Sequence, residues 1–88
     1  MNKYQQNPDH IIDLHGYTIS EVEIILDAIL SEKKYALVRI ITSKGSHGHN
    51  GPVVRTFVKD YLNMRNIRFN KSKIQDGGEG ALEVFLRD

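Results

Sequence analysis

The stretch Ile11–Tyr17, IIDLHGY, decides the fold because it joins an apolar strand to a turn that carries two polar groups. In an extended strand the side chains alternate between faces, so Ile12 and Leu14 point one way while Asp13 and His15 point the other. A glycine then ends the run. The stretch therefore predicts a strand that ends with a carboxylate and an imidazole lying side by side.

A helix and a second strand are predicted downstream of this stretch. TISE, Thr18–Glu21, matches a capping box, in which the hydroxyl and the carboxylate satisfy amide groups at a helix start. ALVRIIT, Ala36–Thr42, is a nearly continuous β-branched apolar run, as in a strand that is central in a sheet or covered on both faces. The helix between them ends near Lys33 and Lys34, and its predicted buried stripe is Val22, Ile25, Leu26, Ile29 and Leu30.

A second helix is predicted after the second strand. Pro52 fits its first turn, with Asn50 or Gly51 as the cap, because proline needs no amide partner there. Asn66 ends it. Its predicted buried stripe is Val54, Phe57, Val58, Tyr61 and Leu62.

Two further strands complete a βαβαββ order. Ile67–Phe69 begins the third strand, and the glycines of GGEG, 77–80, permit the positive φ of a tight connection. Right-handed crossovers make the first three strands parallel, with both helices on one face and the last strand antiparallel. The predicted fold is a two-layer α/β sandwich with a mixed four-stranded sheet, and its last strand, Ala81–Leu86, directs Leu82, Val84 and Leu86 to one face.

Length and composition narrow the class of protein. A chain of 88 residues suffices for one core, so we expect one domain at 10–88 behind a flexible polar lead-in at 1–9. The absence of cysteine excludes disulfides, thiol nucleophiles and thiolate metal sites. The polar opening, MNKYQQNP, resembles neither a signal peptide nor a membrane span. We expect a cytoplasmic protein with no membrane partner.

The net charge of +1 conceals an uneven distribution of charge along the chain. Asp9–Glu32 contains acids and no lysine or arginine, whereas Lys44–Lys73 contains seven basic residues against Asp60 alone. A polyanion is the partner that the basic half favours. The alternative is a solvated basic face that only maintains solubility.

Two polar segments are expected to meet at one edge of the sheet, because the carboxyl ends of parallel strands share an edge. DLHG ends the first strand, and TSKGSHGHNG ends the second. The second segment has the glycines, the lysine and the following helix start of a phosphate cradle, although it matches neither GxGxxG nor GxxxxGK[ST]. The alternative is a solvated loop without a ligand.

Phosphodiester cleavage needs a proton donor or acceptor and a cation near the charged oxygens. Asp13, His15, Lys44 and His47 are the candidates for these roles. The alternatives are that Asp13 accepts backbone amides and that His15 fixes a turn. Imidazole and carboxylate together also suit zinc or manganese, but loop histidines without fixed spacing assign no ligand set.

These residues together resemble a known family, the Smr (small MutS-related) domain. IDLHGYTISEVEIIL is similar to its DLHG motif and first helix. IITSKGSHGHNGPVVRTFVKDYL is similar to its second block, and DGGEGALEVFL to its closing GGxGAxxVxL strand. This chain departs from the family pattern at Ser43, where the family commonly has glycine, and the serine is expected to narrow backbone access to a phosphate.

The resemblance implies a fold similar to the C-terminal domain of translation initiation factor three. It also implies binding to DNA or RNA, nicking activity that is metal-dependent or metal-stimulated in several members, and fusion to or association with a larger DNA-repair or ribosome-related protein. Magnesium or manganese is the candidate cofactor, with no ligands assigned. On the motifs, His15 or His47 is the expected general acid or base, Asp13 orients a histidine or holds a hydrated metal, and Lys44 and Arg55 steady the phosphate.

We therefore expect a nucleic-acid-binding domain with endonuclease activity, the alternative being a nucleic-acid- or ribosome-binding module without catalysis. The expected catalytic residues are Asp13, His15 and His47. The expected nucleic-acid contacts are Gly16, Lys44, Gly45, Ser46, Arg55, Lys59, Arg65, Arg68, Lys71 and Gly78.

Overall fold

The computed structural model describes residues 7–43, 51–73 and 80–87, so most of the predicted lead-in lies outside the described residues. The elements follow the predicted βαβαββ order. Their bounds are β1 His10–Asp13, α1 Ile19–Glu32, β2 Leu37–Ile41, α2 Gly51–Met64, β3 Arg68–Lys71 and β4 Ala81–Phe85.

The sheet is mixed, with the strand order β1-β2-β4-β3. β1 pairs parallel with β2, while β4 pairs antiparallel with both β2 and β3, so the first three strands run in one direction as predicted. One end of the sheet therefore contains the last residues of β1, β2 and β3 and the first residues of β4. This end is called the rim below. The opposite end of the sheet, where β1, β2 and β3 begin, is called the lower end.

α1 begins at the predicted capping box. The Glu21 amide donates to Thr18 Oγ1 at 3.2 Å, and the Thr18 amide donates to a Glu21 carboxylate oxygen at 2.8 Å. These two bonds satisfy donors that have no partner inside the helix. At the other end, Lys33 caps the helix with a left-handed backbone, φ 52° and ψ 37°.

The core lies between the two helices and one face of the sheet. Alternate residues of β2 are buried, namely Val38 and Ile40, whereas Leu37, Arg39 and Ile41 are half-buried. β2 is therefore central in the sheet but covered by helices on one face. The core also contains Ile12, Leu14, Val22, Leu26, Val54, Val58, Tyr61, Leu62, Leu82 and Val84.

Ile25, Ile29 and Leu30 of the predicted α1 stripe are half-buried and pack against the edge of the core. Phe57 of the predicted α2 stripe is half-buried in the same way. It lines an open groove of about 500 Å³ with Ile19 and Val53. Phe57 lies there because its position on the α2 wheel turns away from Val54 and Val58, toward the start of α1.

A polar contact joins the two helices beside the core. Tyr61 Oη donates to Asp27 Oδ1 at 2.5 Å. Burial of the phenol, followed by this hydrogen bond, raises the pKa of Tyr61 to about 12. Of the described residues, no helical stretch combines the length and apolarity needed to cross a membrane.

Replacement of Leu26 by alanine should lower the free energy of unfolding by about 2–5 kcal/mol, because Leu26 is fully buried and the change leaves a cavity. Phe57→Ala should cost less, since part of the ring already contacts solvent. Urea unfolding of both variants measures the difference. An equal or larger loss for Phe57→Ala would contradict the assigned helix faces.

Candidate functional site at the sheet rim

Asp13 and His15 form a hydrogen-bonded pair at the rim. His15 Nδ1 lies 2.6 Å from Asp13 Oδ1, and the same oxygen accepts the His15 backbone amide at 3.1 Å. The side chains are 32% and 53% exposed for Asp13 and His15, respectively. The imidazole is therefore held by the carboxylate yet accessible to a ligand from solvent.

The turn after β1 brings the two side chains together. β1 ends at Asp13, the Leu14 amide donates to the Ile41 carbonyl oxygen at 2.7 Å, and Leu14 is fully buried. His15 lies in the turn itself, where Gly16 has a φ of +86°. Strand alternation predicted the pair, but the geometry depends equally on this turn, which favours glycine at position 16.

The pair is suited to proton transfer. A carboxylate that holds Nδ1 fixes the orientation of the ring and leaves Nε2 as the exchanging nitrogen. Asp13 also accepts a backbone amide, so the alternative role of a carboxylate that stabilises a turn is present in the same geometry. The two roles are compatible, because one oxygen serves both contacts.

Ser43 is the point where β2, α2 and β4 converge at the rim. The Gly80 carbonyl oxygen accepts the Thr42 amide at 2.7 Å and the Ser43 amide at 3.2 Å. A Cβ placed on Gly51 would lie 2.5 Å from Ser43 Cβ, and one on Gly80 would lie 2.7 Å from the Ser43 carbonyl oxygen. Both glycines are needed so that the chain can approach Ser43 closely.

These contacts change the interpretation of three rim residues. Gly51 has a steric role beside Ser43, and its predicted close approach to a phosphate stays a prediction. The predicted positive φ of Gly80 is wrong, because Gly80 is not among the positive-φ glycines of the described residues and instead allows close approach to Ser43. The departure from the family pattern at Ser43 thus lies in a packed junction. Its side chain is half-buried between the starts of α2 and β4.

The basic residues of the 44–73 half do not form one face. Arg55 and Lys59 lie one turn apart on α2, and Lys71 ends β3 at the rim, on the opposite edge strand from Asp13. Because β1 and β3 are the two outer strands, three strand spacings of about 4.8 Å, or roughly 14 Å, separate Asp13 from Lys71 across the sheet. Arg65 and Arg68 lie instead at the lower end, about 20 Å away along a 14-residue helix.

Several predicted residues lie outside the described residues, namely Lys44, Gly45, Ser46, His47 and Gly78. Within residues 7–43, 51–73 and 80–87, no group of three or more His, Cys, Asp or Glu side chains is arranged to hold a metal ion. The predicted site residues that the structure describes are therefore the Asp13–His15 pair, Gly16, Arg55, Lys59 and Lys71, together with Arg65 and Arg68 at the lower end.

The sequence did not predict a polar cluster on the sheet face away from the helices. Arg39 Nε donates to Glu83 Oε2 at 2.6 Å, and Ser72 Oγ donates to the same oxygen. Both charged side chains are only 14% exposed. The cluster joins β2, β4 and the end of β3, next to Lys71. Only the strand order, which brings Arg39 opposite Glu83, indicates this contact.

Comparison with known proteins identifies the family whose motifs this chain carries. The Smr domain model matches residues 12–87. The crystal structure of the Smr domain of Thermus thermophilus MutS2 superposes with a TM-score of 0.72 at 23% identity, covering 90% of this chain and 99% of that chain. YdaL, a stand-alone small MutS-related protein from Escherichia coli, gives a TM-score of 0.66 at 23% identity, covering 89% of this chain and 64% of that chain.

A Treponema pallidum protein described as uncharacterized is 31% identical over 86 residues, which cover 91% of this chain and 42% of that protein. The chain thus spans less than half the length of this relative. The two solved structures share the fold: a mixed four-stranded sheet with two helices, as predicted.

Replacement of Gly51 by alanine should destabilise the domain by about 1–3 kcal/mol through its clash with Ser43 Cβ. Ser43→Gly removes that atom, so the double variant should recover the loss. Gly80→Ala meets the Ser43 backbone oxygen instead, and Ser43→Gly should not rescue it. Urea unfolding of the two double-mutant cycles measures both couplings. Equal rescue of both glycine variants would contradict this packing.

Proposed function

The chain belongs to the Smr domain family, and on that premise we propose that it binds nucleic acid and hydrolyses a phosphodiester bond at the rim. The observation that carries the proposal is the Asp13–His15 pair, in which a carboxylate holds an accessible imidazole on the family's DLHG motif. A positioned histidine of this kind is the commonest general acid or base in enzymes.

Hydrolysis requires one proton to leave the attacking water and one to reach the departing oxygen. His15 Nε2 performs one of these transfers, while Asp13 keeps the ring oriented and stabilises the imidazolium ion. His47, which lies outside the described residues, is the candidate for the other transfer. Arg55, at the start of α2, and Lys44 stabilise the additional negative charge on the phosphate oxygens.

A divalent cation is compatible with this arrangement. Mg²⁺ or Mn²⁺ can bind through one carboxylate when phosphate oxygens and water complete the coordination shell. As the alternative to orienting His15, Asp13 would hold the ion, which would polarise the phosphate.

The second candidate function is nucleic-acid or ribosome binding without catalysis. One contact favours it: Asp13 Oδ1 accepts the His15 backbone amide, as a carboxylate with a purely structural role would. A nicking assay on supercoiled plasmid and on structured RNA, with and without Mg²⁺ or Mn²⁺, separates the two functions. Cleavage by the parent chain supports the first and excludes the second.

Asp13→Asn and His15→Ala should each lower the nicking rate by about a hundredfold or more, the usual contribution of a positioned proton-transfer group. Binding measured by fluorescence anisotropy should change little. Leu14→Ala is the matched control, since this fully buried neighbour affects stability and should lower activity only in proportion to unfolding. The catalytic assignment fails if both variants nick at the parent rate or unfold as Leu14→Ala does.

Binding should weaken steeply with salt, because lysine and arginine contacts to phosphates release counterions. Arg55→Ala and Lys71→Ala should each reduce the slope of log K against log salt by about 0.7–0.9. The charge-preserving variants Arg55→Lys and Lys71→Arg should retain the parent slope. An affinity that does not change with salt concentration, or an unchanged slope in the alanine variants, would contradict phosphate contacts at these residues.

A further inference from the structure

The lower end of the domain brings together five exposed cations that are scattered in the sequence. They come from the turn after α1, the turn after α2, the start of β3 and the chain after β4. They are Lys33, Lys34, Arg65, Arg68 and Arg87, called the lower cationic surface below.

Lys33 is the centre of this surface. It lines one cleft together with Arg65 and a second cleft, of about 280 Å³, together with Arg87. Lys33 is also the C-cap of α1, where its left-handed backbone ends the helix. Cations from three separate segments thus adjoin one another, although only Arg65 and Arg68 belong to the basic half of the sequence.

Aromatic rings hold three of these cations in place. The Arg65 guanidinium lies 3.5 Å from the centre of the Tyr61 ring and donates to the Tyr61 carbonyl oxygen at 3.2 Å. Arg68 pairs with Phe85 on the sheet face away from the helices, and its guanidinium lies 4.6 Å from the centre of the Phe85 ring. Lys34 Nζ lies 5.7 Å from the centre of the Tyr35 ring. Cation–π contacts of this kind orient the side chains without neutralising their charge.

Few carboxylates offset the five cations. Within residues 7–43, 51–73 and 80–87, the salt bridges join His15 to Asp13 and Arg39 to Glu83, so none of the five takes part. Asp9 also lies at this end. Its carboxylate accepts the amides of Leu37 and Ala36, and these bonds, with a smaller contribution from the positive charge of Arg87, lower its pKa. Asp27 lines the cleft that Lys33 and Arg65 share, and Glu32 lies at the end of α1, so three described acids lie near the five cations. The surface therefore has an excess of positive charge.

From this juxtaposition we infer that the lower cationic surface is a second binding site for the phosphates of nucleic acid, separate from the rim. The inference rests on the proposed function and adds a second contact region to it. His10 stacks on Tyr35 with ring centroids 4.7 Å apart, and the exposed His10 ring offers a face for a base. Aromatic rings beside cations favour single-stranded nucleic acid over a lipid surface.

The two sites are too far apart for one short strand. About 20 Å separates the rim from the lower end along α1, which has 14 residues. Four nucleotides stacked with the spacing of B-form DNA span about 14 Å. A strand of that length and form therefore contacts one end at a time, whereas a longer strand can contact both.

An NMR titration of the ¹⁵N-labelled chain with a four-nucleotide DNA strand tests the inference. The parent should show amide shifts at the rim, including residues 15–17, and at the lower end, including 33–36 and 65–68. The triple variant Lys33→Gln, Arg65→Gln, Arg87→Gln should lose the lower shifts and keep the rim shifts. The charge-preserving control Lys33→Arg, Arg65→Lys, Arg87→Lys should keep both, and thermal unfolding verifies that each variant is folded.

The outcomes separate this inference from the proposed function. Shifts confined to the rim would overturn the second site and leave nucleic-acid binding intact, whereas no shift at either end would overturn both. Lower shifts that persist in the glutamine variant would also overturn the inference. If the DNA strand causes no amide shifts at the lower end of the parent but phosphatidylserine vesicles do, the surface recognises lipid and the inference is wrong.

Discussion

The close approach of the chain around Ser43 is the steric constraint on which the rim depends. β2 ends there, α2 begins against its Cβ at Gly51, and β4 begins against its carbonyl oxygen at Gly80. β4 can therefore enter the sheet between β2 and β3, and it carries Glu83 into the cluster with Arg39 and Ser72. A side chain at either glycine would force these segments apart, because close-packed interiors have little room to relax.

Local sequence signals were sufficient for most of the fold. The capping box at Thr18, the central place of β2 in the sheet and the βαβαββ order each follow from patterns of residues that are close in sequence. Phe57 was misplaced because an apolar residue at the edge of a helical stripe can line a groove as well as a core. The steric roles of Gly51 and Gly80 depend on their contacts with Ser43, which is not an adjacent residue for either glycine. Hydrophobic periodicity contains no information about such contacts.

The candidate site was predictable only where its residues are close in sequence. Asp13 and His15 are two positions apart, so alternation and one turn sufficed to pair them. The basic half of the sequence is different, because α2 places Arg65 at the lower end, about 20 Å from the rim. Lys33 and Arg87 lie near Arg65 at that end, although they come from other segments of the chain. Charge counted along the sequence therefore indicated a polyanion but merged two surfaces at opposite ends of the domain.

A crystal structure of the chain with a cleavage-resistant phosphorothioate oligonucleotide tests most directly whether the rim acts on a phosphodiester. If Asp13 and His15 have the proposed role, a phosphate at the rim should lie with its reacting oxygen or attacking water about 2.6–3.2 Å from His15 Nε2, while Nδ1 keeps its contact with Asp13. Nucleic acid bound only at the lower end, with the His15 ring remote from every phosphate, would contradict that role.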